Sequence, residues 1–264
     1  MLRRLAPWAM VLLLATAHAE PCDRGAFVIA LDPGHTLASP GATSARGVPE
    51  VRFNRELARV VHDELRQAGF AKAFVLSDIL KAPTLGQRAD LANARRADVF
   101  LSLHHDSVQP RYLSSWLSDG RPQSYSDRFS GYSLFVSDKN AAAQDSLRLA
   151  RLLGTELRKR CLVATRHHAE AIPGEGRELV DPQRGVYRFD DLVVLKATRM
   201  PAVLFEAGVI VNRADEEVLR SPEHKRLLAQ AISAAIGSFC AREAAPPDAS
   251  VDCNAAASAP ALTR

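Results

Sequence analysis

The sequence predicts an α/β fold: a mixed, mostly parallel sheet flanked by helices on both faces, in a single domain. Three observations predict it. Short apolar runs of strand length recur at FVIALDPGH (27–35), VFLSLHHD (99–106) and AVLFEAG (202–208). Helical periodicity fills much of the chain between them, and strands alternating with helices make a sheet covered on both faces. A chain of 264 residues, 47% of them hydrophobic, is long enough to bury a substantial core in one such domain.

The first element is not part of the domain. Met1-Leu2-Arg3-Arg4, an apolar stretch from Trp8 to Ala15 and the small-x-small triplet Ala17-His18-Ala19 read as a secretory signal peptide over residues 1–19. The apolar stretch is short for a permanent anchor, and no later segment reaches the roughly 20 apolar residues of a membrane-spanning helix. The domain is expected over residues 20–240. Cys22 lacks the Leu-x-x-Cys context and the immediate position that lipid attachment requires.

Along the domain, residues 27–31 are a continuous apolar strand, and Asp32-Pro33-Gly34 makes a turn that exposes His35. A polar loop runs to Gly47. From Glu50 to about Ala68 the positions Phe53, Leu57, Val60, Val61 and Leu65 keep helical spacing, with Gly69 as the stop. A strand follows at 73–76, a helix at 85–95 and a strand at 99–103. Residues 107–130 carry Pro110, Pro122, several serines and glycines, and read as a long surface excursion. A strand at 132–136 leads to a periodic helix at 141–162. Residues 165–188 read as a polar loop, with His167 and His168 as solvent-exposed loop histidines. Residues 192–195 are a short helix or strand, 202–206 a strand, and 215–239 the last helix. From Ala241 to Arg264 the composition is that of an Ala/Pro-rich disordered tail, unless Cys253 ties it down.

Composition narrows the function. Export places Cys22, Cys161, Cys240 and Cys253 where disulfides form, and the sequence does not choose among the three pairings that four cysteines allow. No C-x-x-C pair points to a cysteine zinc site. A net charge of +4 gives a weak positive field that favours an anionic partner such as a cell wall. Export and an aromatic content of 6% argue against nucleic acid. The plain signal peptide and the cysteines favour a Gram-negative periplasm, with full secretion as the alternative.

The chemistry lies at the strand ends. Carboxyl ends of parallel strands meet in one crevice where ligands bind. His35, Glu50, His104 and Glu206 reach it, and two histidines with a carboxylate are a catalytic zinc set that leaves a fourth position for water. Glu206, inside the apolar run Val203-Leu204-Phe205 and Ala207-Gly208, is then the separate carboxylate that takes a proton from water, its pKa raised by desolvation. Strand alternation puts only one of His104 and His105 toward the crevice and does not say which.

The quoted segments resemble the zinc-dependent N-acetylmuramoyl-L-alanine amidases of the AmiC type, the amidase 3 family. The resemblance lies in LDPGH (31–35), Gly47 to Glu50, LGQRADLANARRADVFLSLHHD (85–106) and RGVYRFDDLVVLKATRMPAVLFEAGVIVN (184–212). It implies zinc on His35, Glu50 and His104, Glu206 as the catalytic carboxylate, and hydrolysis of the amide between N-acetylmuramic acid and L-alanine. It implies peptidoglycan as substrate and a protein activator as a candidate partner, for a chain expected to be a monomer. Thr36-Leu37 stand where the family usually has Gly-Gly, and Asp106 where it commonly has Asn. The plug helix that some relatives insert after the fourth strand is missing, since Ser137 passes almost at once into the next helix. The alternatives are a zinc peptidase or carboxypeptidase acting on the stem peptide, and a non-catalytic wall-binding regulator. The excursion at 107–130 is expected to form a rim or lid of the substrate groove.

Overall fold

The structure, a computed structural model, describes residues 22–247 and Cys253. The expected signal peptide and most of the expected tail lie outside the described residues. Strand β1 (Val28–Pro33) is followed by α1 (Glu50–Gln67), β2 (Lys72–Val75), α2 (Leu85–Ala94) and β3 (Val99–Asp106). A hairpin of β4 (Ser114–Ser118) and β5 (Arg121–Tyr125) comes next, then β6 (Ser133–Val136) and α3 (Ala143–Lys159). The chain continues through β7 (Glu178–Asp181), β8 (Val186–Arg188), α4 (Val193–Ala197) and β9 (Ala202–Val209) to α5 (Arg213–Arg220) and α6 (Pro222–Cys240).

The main sheet has seven strands in the order β2-β1-β3-β9-β6-β8-β7. β2, β1, β3 and β9 run parallel, β6 is antiparallel to β9, β8 is parallel to β6, and β7 closes the edge antiparallel to β8. The expected mixed, mostly parallel α/β architecture is what forms. Alternation sorts the side chains. Ile29, Leu31, Val99, Leu101, Leu103, Val203 and Phe205 face a core built with α1, α3 and α6, while Ala30, Phe100, Ala202 and Leu204 face α2 and α4 on the other side. Burial of a large aliphatic or aromatic side chain in such a core contributes about 1.5–3 kcal/mol.

Local sequence sets the element ends. Thr84 accepts from the Gln87 amide and Gln87 returns a side-chain bond to the Thr84 amide, so α2 starts on a capping box. The helix expected at 215–239 is two helices, because Pro222 forces Ser221 into an extended conformation and Ser221 caps α6. The expected loop at 107–130 instead holds the β4–β5 hairpin. Its turn residues Asp119 and Gly120 both have positive φ, 49° and 72°, as an Asp-Gly hairpin turn requires, and that dipeptide was the available signal. Residues 165–188, also expected as loop, contribute β7 and β8. These strands are short and polar, and they form because Tyr187 buries fully and stacks on Phe135 at 5.4 Å.

Cys22 pairs with Cys240, and Cys161 with Cys253. The first bridge ties the chain ahead of β1 to the end of α6. The second fastens Cys253, of the expected tail, to the segment just after α3, and the Pro246 carbonyl accepts a bond from Arg184 at 2.7 Å. Among the described residues, no helix is long and apolar enough to cross a membrane.

Candidate active site

The turn after β1 aims the first histidine. The Gly34 amide donates to the Leu103 carbonyl at 2.8 Å, continuing the pairing with β3, and the chain then bends through His35 at φ 68°. A non-glycine residue in that region is held there by its surroundings. Arg88 of α2 does much of this. Its guanidinium donates to Asp32 Oδ1 at 2.5 Å, to the Pro33 carbonyl at 2.8 Å and to the His35 carbonyl at 2.6 Å.

Glu50 is the first residue of α1, and the chain from 36 to 49 folds back so that the Ala42 amide donates to its Oε2 at 3.1 Å. Asn54, one turn along the same face, donates to Glu50 Oε1 at 3.0 Å and to the Gly34 carbonyl at 3.1 Å. The buried carboxylate meets His35 Nε2 at 2.9 Å and His104 Nδ1 at 3.1 Å. Burial alone would raise the Glu50 carboxyl. Its hydrogen bonds to His104 and His35, with their charge, outweigh that and hold it well below the usual carboxylate range.

Close approach needs glycine at two places. A Cβ on Gly34 would stand 2.2 Å from the His104 ring, and one on Gly41 would stand 2.3 Å from Glu50 Oε2. The β3 phase resolves the choice that alternation left open. His104 turns to the centre, while His105 is buried toward α1, its Nδ1 2.7 Å from Asn54 Oδ1 and its ring against Phe53. Burial pushes the His105 imidazole down to about 3, so it stays neutral.

Donor atoms of His35, Glu50 and His104 all lie within 4.8 Å of one another. Two imidazoles and one carboxylate converging in this way are a donor set that fits a zinc ion, which commonly keeps a further position for water. Beside His35 and His104 lies a cavity of about 520 Å³, lined also by Arg88, Leu85, Val193 and Leu204.

Glu206 sits opposite His104 in the β3–β9 register. Its Oε2 is enclosed and has no hydrogen-bond partner. Burial, then the charges of Asp106 and Glu50, push its carboxyl well above the ordinary value. An unpartnered carboxyl with a raised pKa, in register with a histidine of a metal-type triad, can take up a proton and give it back, as general base and acid work requires.

Comparison with known proteins places the chain in a family. The profile of N-acetylmuramoyl-L-alanine amidases, Amidase_3, matches residues 29–238. The chain belongs to the amidase 3 family. It is 29% identical over 218 residues to the N-acetylmuramoyl-L-alanine amidase AmiC of Neisseria meningitidis, covering 79% of this chain and 51% of that relative. It is 25% identical over 253 residues to the amidase Rv3717 of Mycobacterium tuberculosis, covering 88% of this chain and 93% of the relative. Among solved structures, the amidase Ami1 from Mycobacterium smegmatis superposes with a TM-score of 0.65 at 20% identity, covering 83% of this chain and 99% of that one, which speaks to the fold.

In this amidase the polar residues that sequence reasoning missed lie on the far side of Asp106. His167 and His168, expected to be exposed, are packed inside: the His167 side chain is 2% exposed and that of His168 13%. Their burial follows from the return of the chain through β7 and β8, which sets Tyr187 of β8, beside Phe135 of β6, against His168. No local pattern around Thr165 announces it.

The hairpin of the unusual excursion packs on the loop that delivers Glu50. Trp116 Nε1 donates to the Ala45 carbonyl at 2.8 Å, Arg46 lies over the Trp116 ring, and Gln123 abuts Gly47. After β6, Ser137 to Ala142 make a turn into α3, leaving no room in sequence for a plug helix there.

Proposed function

We propose that this amidase cleaves the amide between the lactyl group of N-acetylmuramic acid and L-alanine in peptidoglycan, with zinc held by His35, Glu50 and His104. The observation that carries the reading is the enclosed, unpartnered Glu206 Oε2 set in register with His104. A zinc ion in that triad supplies Lewis acidity, polarising a carbonyl and lowering the pKa of water toward neutrality. Glu206 Oε2 takes the proton of the attacking water. With its carboxyl pKa raised, Glu206 holds that proton and passes it to the nitrogen of the leaving L-alanine. Arg88 and Asn54 position His35 and Glu50 and take no proton. The cavity beside His35 and His104 receives the substrate on its mainly apolar wall, and the β4–β5 hairpin forms a rim over the Glu50 loop.

Two disulfides support export, residues 1–19 being the signal and the periplasm the destination. Residues 20–240 form the catalytic domain and residues 241–264 the tail. The connection from β6 to α3 is too short to carry a plug helix for an activator to move.

The test is mass spectrometry of the material released from purified sacculi. Free stem peptides beginning with L-alanine, released by wild type and lost on chelation, carry the reading. Cleavage inside the stem peptide makes the chain a peptidase, and zinc binding without release makes it a wall-binding protein.

A further inference from the structure

The histidines behind the active site converge on a single oxygen. His168 Nε2 lies 2.7 Å and His167 Nε2 3.3 Å from Asp106 Oδ2, and the donor atoms of all three residues fall within 4.8 Å of one another. The arrangement is built from both sides. Asp106 Oδ1 is occupied by the Ser107 amide at 2.8 Å, which turns Oδ2 toward the histidines. His168 Nδ1 meets Glu175 Oε2 at 3.0 Å, and Glu175 Oε1 is fixed by Gln109 Nε2 at 2.7 Å. His167 Nδ1 meets Thr165 Oγ1 at 2.8 Å. Each imidazole thus has its outer nitrogen engaged, the arrangement that fixes metal-binding histidines elsewhere, while the inner nitrogen of His168 bonds Asp106 Oδ2 and that of His167 lies near the same oxygen without bonding it.

Neutral imidazoles leave the space between them short of protons. When Nδ1 of His168 donates to Glu175, its neutral ring presents a lone pair at Nε2 to Asp106. The same holds for His167 when Nδ1 donates to Thr165, and the His167 Nε2 atom, fully enclosed, has no hydrogen-bond partner. Two lone pairs and a carboxylate oxygen facing one point repel unless positive charge stands there. Asp106 and Glu175 together carry two negative charges, which a divalent ion held by two neutral imidazoles balances.

We propose that Asp106, His167 and His168 form a second metal site, taking zinc or a similar divalent transition ion, with Glu175 as the carboxylate behind His168. Two imidazoles and one carboxylate form the same donor set as the active-site triad, and they select a borderline transition metal over calcium or magnesium. The two sites share β3, which contributes His104 to one and Asp106 to the other. The competing source of positive charge is a proton on His168: burial opposes it, but the charge of Asp106 and the bonds to Asp106 and Glu175 hold that imidazole up to about 9 without metal.

Metal counting separates the two. The mature, disulfide-bonded protein is equilibrated with zinc, desalted and analysed by inductively coupled plasma mass spectrometry, with a parallel cobalt(II) absorption titration. Two equivalents are expected in wild type, falling to one in the His167→Ala/His168→Ala variant and to a different one in the His35→Ala/His104→Ala variant. Glu175→Gln, which leaves all three ligands in place, is expected to weaken the second equivalent about 10–100-fold. It serves as the deciding variant if the double alanine change fails to fold. A single equivalent that persists unchanged in the His167/His168 and Glu175 variants overturns the proposal and leaves a protonated cluster. A single equivalent that disappears with His167 and His168 supports it and removes zinc from the active-site triad instead.

Discussion

Arg88 and Asp32 form a buried ion pair, Nη1 to Oδ1 at 2.5 Å, and through it α2 grips the turn that carries His35. Removing one partner strands the other charge in a dry site, which costs about 3–5 kcal/mol. Arg88→Ala is expected to lower unfolding stability by that order and to weaken zinc binding at His35, read by urea denaturation and by zinc titration. Arg88→Lys returns a charge to Asp32 without the fork that reaches the His35 carbonyl, so it recovers more stability than affinity. Equal recovery of both would show that Arg88 does not position His35.

Glu206→Gln keeps the size of the side chain and removes its proton chemistry. A loss of about 10²–10⁴-fold in peptide release from sacculi is expected, with zinc at the active-site triad retained. Retained turnover would remove Glu206 from the role of base.

The same residue gives a pH signature in metal-free protein. A carboxyl whose folded pKa is raised binds a proton more tightly in the native state, so its stabilising contribution is full below the unfolded value of 4.5 and is lost as pH rises through the folded pKa. The stability difference between wild type and Glu206→Gln, followed by urea unfolding, is therefore expected to shift against wild type as pH rises above 4.5. A flat difference across that range would show that the carboxyl titrates normally.

Asn54 holds Glu50 Oε1 and His105 at once. Asn54→Ala is expected to cost about 10–100-fold in zinc affinity while every ligand remains, a loss seen in competition with a chromogenic chelator. Unchanged affinity would mean that the Ala42 amide and the two histidines suffice to orient the carboxylate.

Deleting residues 114–125 removes Trp116 from Ala45 and Gln123 from Gly47. Weaker binding to sacculi and slower digestion are expected, with zinc content preserved. A shortened chain that binds and digests as well as wild type would deny the hairpin its place as a rim.

What the sequence shows and what it hides follow from how local each signal is. β1, β3 and β9 are buried on both faces, so they read as unbroken apolar runs, and their ends name His35, His104 and Glu206. α1 shows its amphipathic spacing, and Glu50 leads it. The edge strands β7 and β8 show no such run, because they join the sheet through side chains of distant segments. His167 and His168 are hidden for the same reason: only the packed chain brings them to Asp106. The choice between His104 and His105 depends on strand phase, which a fully apolar strand does not display.

The two bridges interleave. Cys22 joins Cys240 across a point where Cys161 joins Cys253, so neither bridge links cysteines that are neighbours in sequence. As a chain emerges amino end first, Cys22 meets Cys161 long before Cys240 exists to meet it. An oxidant acting on first encounters would therefore tie the wrong partners, and the native pair is reached only by attack of a later thiolate on that early bond. A chain oxidised in that order needs thiol exchange as well as oxidation to reach its native bridges, a need written into the order of four residues.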